Sequence, residues 1–348
     1  MGNGMNANVA VFGAYGHTGR FVVAELRERG YEPLLVGRDL NRLLAMGQGA
    51  ARQATVGDPA SLDLALSGAA AVINCAGPFA ETAGPLIEAA LRAGIPYVDV
   101  AAEIEANADT FTLFAERARN AGVPVVPAMA FYGGLGDLLV TAAMGEWDAA
   151  DEVHIAYGLS SWHPTAGTLA SGTVSGQRRA GRRVRFTEGE LRYHDDVLPT
   201  LEWTFPGALG TQPVIGEFTM ADVVTVPSHL DVPEVRTYMT AVAAADLAAA
   251  TSAPVAVDDR GRSAQTFVVD VAVRNGGEER RMSVAGRDIY AITAPLAVEA
   301  VSRLLTGRSK AVGVVSAGAA FDARDFLDAL ADHLTIQAPA AGVGRRGR

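Results

Sequence analysis

The stretch Val9-Ala10-Val11-Phe12-Gly13-Ala14-Tyr15-Gly16-His17-Thr18-Gly19-Arg20 decides the fold. An apolar run ends at Gly13 and a helical pattern opens after Gly16, so the three glycines sit at a strand-to-helix turn, where a dinucleotide fingerprint has physical meaning. Gly13 permits the tight turn, Gly16 lets backbone amides approach a pyrophosphate, and Gly19 lets the helix pack on the strand. The helix N-terminus adds unpaired N–H groups for the anion. Tyr15, His17 and Thr18 belong to the same phosphate turn.

Outward from this turn the first 130 residues alternate regularly. Apolar runs of strand length cover residues 8–13, 33–37, 51–57, 70–75, 96–100 and 123–129. Helix-like stretches at 17–29, 40–46, 61–66, 82–92 and 106–120 separate them, several closed by a glycine that suits a helix C-cap. The runs are uniformly apolar rather than alternating, as expected where helices cover both faces of a parallel sheet. The expected architecture is therefore α/β, a Rossmann-type doubly wound parallel sheet. Beyond Met129 a helix at 133–147 leads into β-rich segments at 152–161, 182–187, 213–220, 234–239 and 265–274. The last passes through the hairpin signal Asn275-Gly276-Gly277 into 278–285. A second α+β domain of largely antiparallel strands is expected over 131–286. Residues 1–130 and 287–335 are assigned to the nucleotide domain, and 336–348 to a disordered tail.

Composition narrows the function. The chain of 348 residues carries a net charge of −10, and a chain without a basic stripe is a poor partner for nucleic acid. One cysteine, Cys75, excludes an intrachain disulfide and cysteine-built metal centres. The six histidines show no His-x-x-x-His spacing, so no metal is expected. No apolar stretch reaches the ~20 residues needed to span a bilayer and the N-terminus lacks the signature of a signal peptide, so the expected location is cytoplasmic, without a membrane partner.

The tip of the second strand reads Leu34-Leu35-Val36-Gly37-Arg38-Asp39. Arg38 stands where a guanidinium pairs with a 2′-phosphate, which favours NADP(H), whereas Asp39 one position later suits a 2′-hydroxyl. The fourth strand ends Ile73-Asn74-Cys75-Ala76-Gly77-Pro78-Phe79, beside the nicotinamide half of a bound dinucleotide. Small residues there admit the cofactor, and Asn74 is placed to hydrogen-bond a ribose. Cys75 reads as a small buried hydrophobe or a thiol at the site. Asp58 reads as an adenine contact or as a helix cap.

At these residues the chain resembles the saccharopine dehydrogenase-like reductases, and within them the trans-acting enoyl reductases. The resemblance rests on Gly13 to Arg20, Val36 to Asp39, Asn74 to Phe79 and Ala93-Gly94-Ile95-Pro96-Tyr97-Val98-Asp99. It implies an NADP-dependent fold in which a second domain interrupts the cofactor domain and C-terminal helices return to it. That branch carries Asp-Ser-x-Pro-Ser-Asp-Leu-Gly where this chain has Tyr132-Gly133-Gly134-Leu135-Gly136-Asp137-Leu138-Leu139, so the resemblance carries the cofactor and not the substrate.

Hydride transfer to C=C, C=N or C=O also requires a proton donor. The Tyr-x-x-x-Lys pair of short-chain dehydrogenases is excluded: the only lysine is Lys310, and four positions before it stands Thr306. Tyr132, past the sixth strand, and Glu103, past the fifth, are the catalytic candidates. His163 and His229 are candidates for lining the substrate pocket, and the glycines after Tyr132 are expected to leave room for a substrate or a closing movement. Arg178, Arg179, Arg182 and Arg183 would serve a substrate carboxylate or form a solvated edge. The expected function is NADPH-dependent reduction of C=C or C=N in a small metabolite, with a non-catalytic NADP sensor as the alternative and a homodimer as the expected assembly.

Overall fold

The computed structural model describes residues 7–47, 49–249, 253–309 and 311–337. Lys310 and the Gly/Arg-rich end at 343–348 lie outside the described residues. The first sheet holds β1 (Asn8–Phe12), β2 (Glu32–Gly37), β3 (Ala50–Gln53), β4 (Ala71–Asn74), β5 (Tyr97–Asp99) and β6 (Pro124–Val126). Between them run α1 (His17–Glu28), α2 (Leu40–Leu44), α3 (Pro59–Leu66), α4 (Phe79–Ala93) and α5 (Ile104–Ala121). Gly94 and Gly122 end α4 and α5 at φ +65° and +67°, the left-handed conformation that glycine adopts without strain.

The second region comprises α6 (Gly136–Met144), β7 (Glu152–Leu159), α7 (Ala166–Arg178), β8 (Arg183–Thr187), β9 (Glu190–His194), β10 (Thr200–Thr204) and β11 (Thr211–Gly216). It continues through α8 (Asp222–Thr225), β12 (Val235–Thr240), α9 (Ala241–Ala249), β13 (Thr266–Asn275) and β14 (Glu278–Arg287). The chain closes with α10 (Thr293–Leu305), β15 (Gly313–Val314), α11 (Ala317–Ala320), α12 (Ala323–Asp328) and β16 (Thr335–Gln337).

The first sheet is parallel throughout, in the order β15-β6-β5-β4-β1-β2-β3. The strand order turns outward from β1, towards β2 on one side and β4 on the other, which opens a crevice at the strand tips. The second sheet runs β10-β11-β12-β7-β13-β14-β16, with β8 and β9 off β12. Its pairs are antiparallel except β12 with β7. The expected two-sheet α/β architecture is the observed one.

The chain end returns to the first sheet. β15 pairs with β6, α10 packs against α1, and Arg29 on α1 pairs with Glu299 on α10. Arg303, only 1% exposed, is held by Glu299 and Asp325 at 2.7 Å each. The last strand departs from expectation. β16 takes the free edge of β14, so Ile336 and Gln337, assigned to a disordered tail, complete a ladder of the second sheet.

Candidate functional site

A cavity of about 860 Å³ lies between the tips of the first sheet and the second domain. Its first-domain wall is the glycine turn. Gly13 sits at φ +83°, and a Cβ there would stand 2.9 Å from the Cβ of Ala76. Gly16, in an extended conformation with no side-chain cap, opens α1 and leaves its first N–H groups free. Gly19 carries no side chain because a Cβ would overlap the Gly13 carbonyl. Tyr15, His17 and Thr18 line the cavity beside Cys75, Ala76, Gly77 and Pro78. The Nε2 atom of His17 is buried without a partner, and burial lowers the pKa so that the ring is neutral. Burial raises the pKa of the Cys75 thiol, with Asp99 adding to it, so the group stays a thiol and reads as the small hydrophobe.

The acid after the second strand is already engaged. Asp39 caps α2, accepting from the Arg42 amide at 3.1 Å. Arg38 lines the cavity exposed, and its guanidinium has no partner among the described residues. Arg42, on α2, also lines the cavity, with its guanidinium 4.3 Å from the centre of the Tyr15 ring. Sequence reasoning missed Arg42. No local pattern announced it, because Arg38 precedes the Asp39 cap of the helix that carries Arg42 and only the fold brings both to the cavity.

Three expected contacts are corrected. Asp58 caps α3, accepting from Ala60 and Ser61 amides at 3.1 and 3.3 Å, and does not line the cavity. Asn74 is fully buried and turned inward: it donates to Thr82 and Tyr97 and accepts from the Ala76 amide. It shapes the tip of β4 and, fully buried, does not line the cavity where a ribose would lie. Glu103 lines the cavity, but its carboxylate accepts from the Phe79 and Ala80 amides at 2.7 and 3.1 Å. It caps α4 across the crevice, which explains a buried carboxylate there without catalysis.

Tyr132 is different. It is 6% exposed, lines the cavity, and its hydroxyl has no hydrogen-bond partner. The ring stacks on Trp162 at 5.3 Å and meets Phe131 and Tyr157 edge-on at 4.8 and 4.9 Å. Burial raises the phenol well above its usual pKa, so it carries its proton throughout the physiological range. The following glycines serve packing rather than substrate room. At Gly133, φ +94°, a Cβ would stand 2.7 Å from the Cβ of Ala128, and at Gly136 one would overlap Asp222. Asp222 accepts from the Gly133 amide at 3.2 Å and from the Tyr157 hydroxyl at 2.7 Å, which fixes the turn carrying Tyr132.

The opposite wall comes from the second domain. Helix α7, rich in the weak helix formers Gly, Ser and Thr, is capped by Thr165 and held to α5 through Ser175 and Arg179 on Glu105 and Arg178 on Asp109. Arg179, Arg182 and Arg183 line the cavity; Arg178 does not. His163 and His229 do not line it either. His229 pairs with Asp137 at 2.7 Å, and Asp137 lifts the imidazole above its ordinary pKa against the effect of burial. Among the described residues no group of three or more His, Cys, Asp or Glu is placed to hold a metal ion, and no helix is long and apolar enough to cross a membrane.

Residues 9–126 match the family model described as Saccharopine dehydrogenase NADP binding domain. The cofactor is NADP(H). The chain is 27% identical over 146 residues to a saccharopine dehydrogenase-like oxidoreductase of Bos taurus, covering 36% of this chain and 34% of that protein. It is 29% identical over 143 residues to a probable mitochondrial saccharopine dehydrogenase-like oxidoreductase of Arabidopsis thaliana, covering 36% and 32%. The chain thus spans about a third of the length of the curated relatives it matches. Apo saccharopine dehydrogenase (L-Glu forming) from Saccharomyces cerevisiae superposes at a TM-score of 0.64 over 96% of this chain and 100% of that one, at 11% identity. Around the NADP domain, the whole two-domain fold is therefore shared.

Proposed function

We propose that the protein is an NADPH-dependent oxidoreductase that reduces a C=C or C=N bond of a small metabolite, with Tyr132 as the proton donor. The observation that carries this reading is the continuity of one cavity from the Gly13–Gly16 turn to a buried, unpartnered phenol. A cradle that side chains at Gly13 and Gly16 would narrow, and two guanidiniums, Arg38 at the tip of β2 and Arg42 on α2, fit a dinucleotide carrying a 2′-phosphate. When bound, NADPH supplies a hydride to one atom of the double bond.

The remaining work belongs to the chain. Free N–H groups of the turn and of α1 hold the pyrophosphate. Arg38 and Arg42 hold the 2′-phosphate. Cys75 to Pro78 present small residues to the nicotinamide side. Tyr132 gives its hydroxyl proton to the second atom of the double bond and recovers one from water after product leaves. Burial of its ring among Phe131, Tyr157 and Trp162 keeps water from competing for that position.

Arg179, Arg182 and Arg183 on the cavity wall suit the carboxylate of a keto-acid imine, and the local resemblance to enoyl reductases supports conjugated C=C reduction. Decay of bound NADPH fluorescence on adding an enone or imine panel tests both. Stable fluorescence with every member, at full NADPH occupancy, would leave the sensor reading standing instead.

A further inference from the structure

We propose that the substrate end of the cavity takes an amphipathic anion, an unsaturated apolar body lying along Trp162, Phe218 and Met220 whose anionic group is held by Arg182 and Arg183. This rests on the reading of the cavity as a reductase site and names the class of molecule that site accepts. Polarity along the wall is graded. Beside Tyr132 stands Trp162, 2% exposed and stacked on the phenol at 5.3 Å. Phe218 follows with its ring centre 6.1 Å from Trp162, and Met220 lines the same stretch. The Thr219 hydroxyl donates to the Val184 carbonyl at 2.8 Å, which joins this apolar stretch to the start of β8. The two residues before Val184 are Arg183 and Arg182, both exposed and both lining the cavity.

These two arginines differ from their neighbours. Arg178, Arg179 and Arg185 each have a carboxylate partner. Arg182 lies over the Tyr193 ring at 5.0 Å and donates to the Arg179 carbonyl, while Arg183 donates to the Asp196 carbonyl at 2.8 Å. Neither guanidinium has a carboxylate partner among the described residues. Glu217, the acid on this wall, is shared between Arg185 and His194 at 3.4 Å each. A substrate ammonium therefore meets no free carboxylate there, whereas an anion meets two uncompensated cations. An apolar body buried against aromatic side chains and a charged end at a solvated rim is the arrangement that each part of the wall favours.

Calorimetric titration of the NADP-saturated full chain tests this with trans-2-octenoate, trans-2-octenamide, crotonate and the monophosphate of trans-2-octen-1-ol. NADP binding, measured first, reports separately on the cofactor reading. At least one eight-carbon anion should bind about tenfold or more tighter than the amide, because charged hydrogen bonds are lost with the charge. Octenoate should exceed crotonate by at least about tenfold, as buried methylenes predict. Comparing octenoate with the monophosphate identifies which anion the rim prefers. In the double variant Arg182→Gln, Arg183→Gln the preference for the anion should fall to within about twofold, with the chain-length preference kept. Equal binding of acid, phosphate and amide, loss of the length dependence, an unchanged preference in the double variant, or no binding of any probe while NADP binds would each overturn the proposal.

Discussion

The two walls of the cavity are built by different means. The first-domain wall is largely backbone: a glycine turn, free helix N–H groups and the small residues 75–78, with the nearby acids Asp39, Asp58 and Glu103 all engaged as caps. The second-domain wall is side chain: Trp162, Phe218, Met220 and Arg179, Arg182 and Arg183. A backbone wall recognises what all dinucleotides share. A side-chain wall changes its ligand with a few substitutions, which is how one fold serves many reactions.

The largest expected effect breaks the first wall alone. Gly16 has φ −67° and ψ 167°, which a branched residue tolerates, so Gly16→Val should fold and lose NADPH binding by more than about a hundredfold. Near-native circular dichroism with no NADPH fluorescence enhancement is the expected pair of results; retained affinity would move the cofactor out of the crevice. Next comes the junction of the walls. Tyr132→Phe should lower kcat by about 10²–10⁴-fold in NADPH turnover while NADPH affinity stays within about twofold. A loss under about fivefold would reduce Tyr132 to lining.

Arg38→Ala sharpens the cofactor end, costing about 1.5–3 kcal/mol of NADPH binding and sparing NADH, as titration with both cofactors would show. Equal losses would return the ribose to Asp39. The smallest effect concerns the framework behind the backbone wall. Asp99 accepts from Tyr97, Ala101 and Ala128, and burial raises its pKa to about 6. The folded protein thus binds a proton where the unfolded chain does not, so this contribution to stability grows as pH falls from about 7 to 5 and is lost as pH rises through 6. Asp99→Asn should remove about 1 kcal/mol of that pH dependence in urea unfolding at the two pH values.

The contrast between the walls also explains what could be read from the chain. The glycine turn, the strand tips and the parallel sheet were legible because each depends on local residue type: φ at Gly13, apolar runs and Arg38 at a strand end. The roles of Asn74, Asp58 and Glu103 were not, because a polar side chain at a strand tip serves a ligand or a cap equally well until its neighbours in space are known. Glu103 caps α4 from the start of α5, a pairing between elements that no local pattern announces. Helix α7 was hidden for a related reason. Its Gly, Ser and Thr residues are weak helix formers, and packing on α4 and α5 holds the helix nonetheless. Trp162 and Phe218, far apart in sequence, meet only through the fold.

The pairing of β15 with β6 has a consequence for how the chain is made. On the ribosome β6 emerges with one edge bare, and its partner arrives only after strands β7 to β14 of the second sheet have been synthesised. The apolar flank that α10 covers on α1 waits equally long. An unpaired strand edge held open through translation is a template for misassociation with another nascent chain. A fragment ending at residue 286 should therefore reach solution as aggregate more readily than the full chain, even though it contains every residue of the NADP domain match.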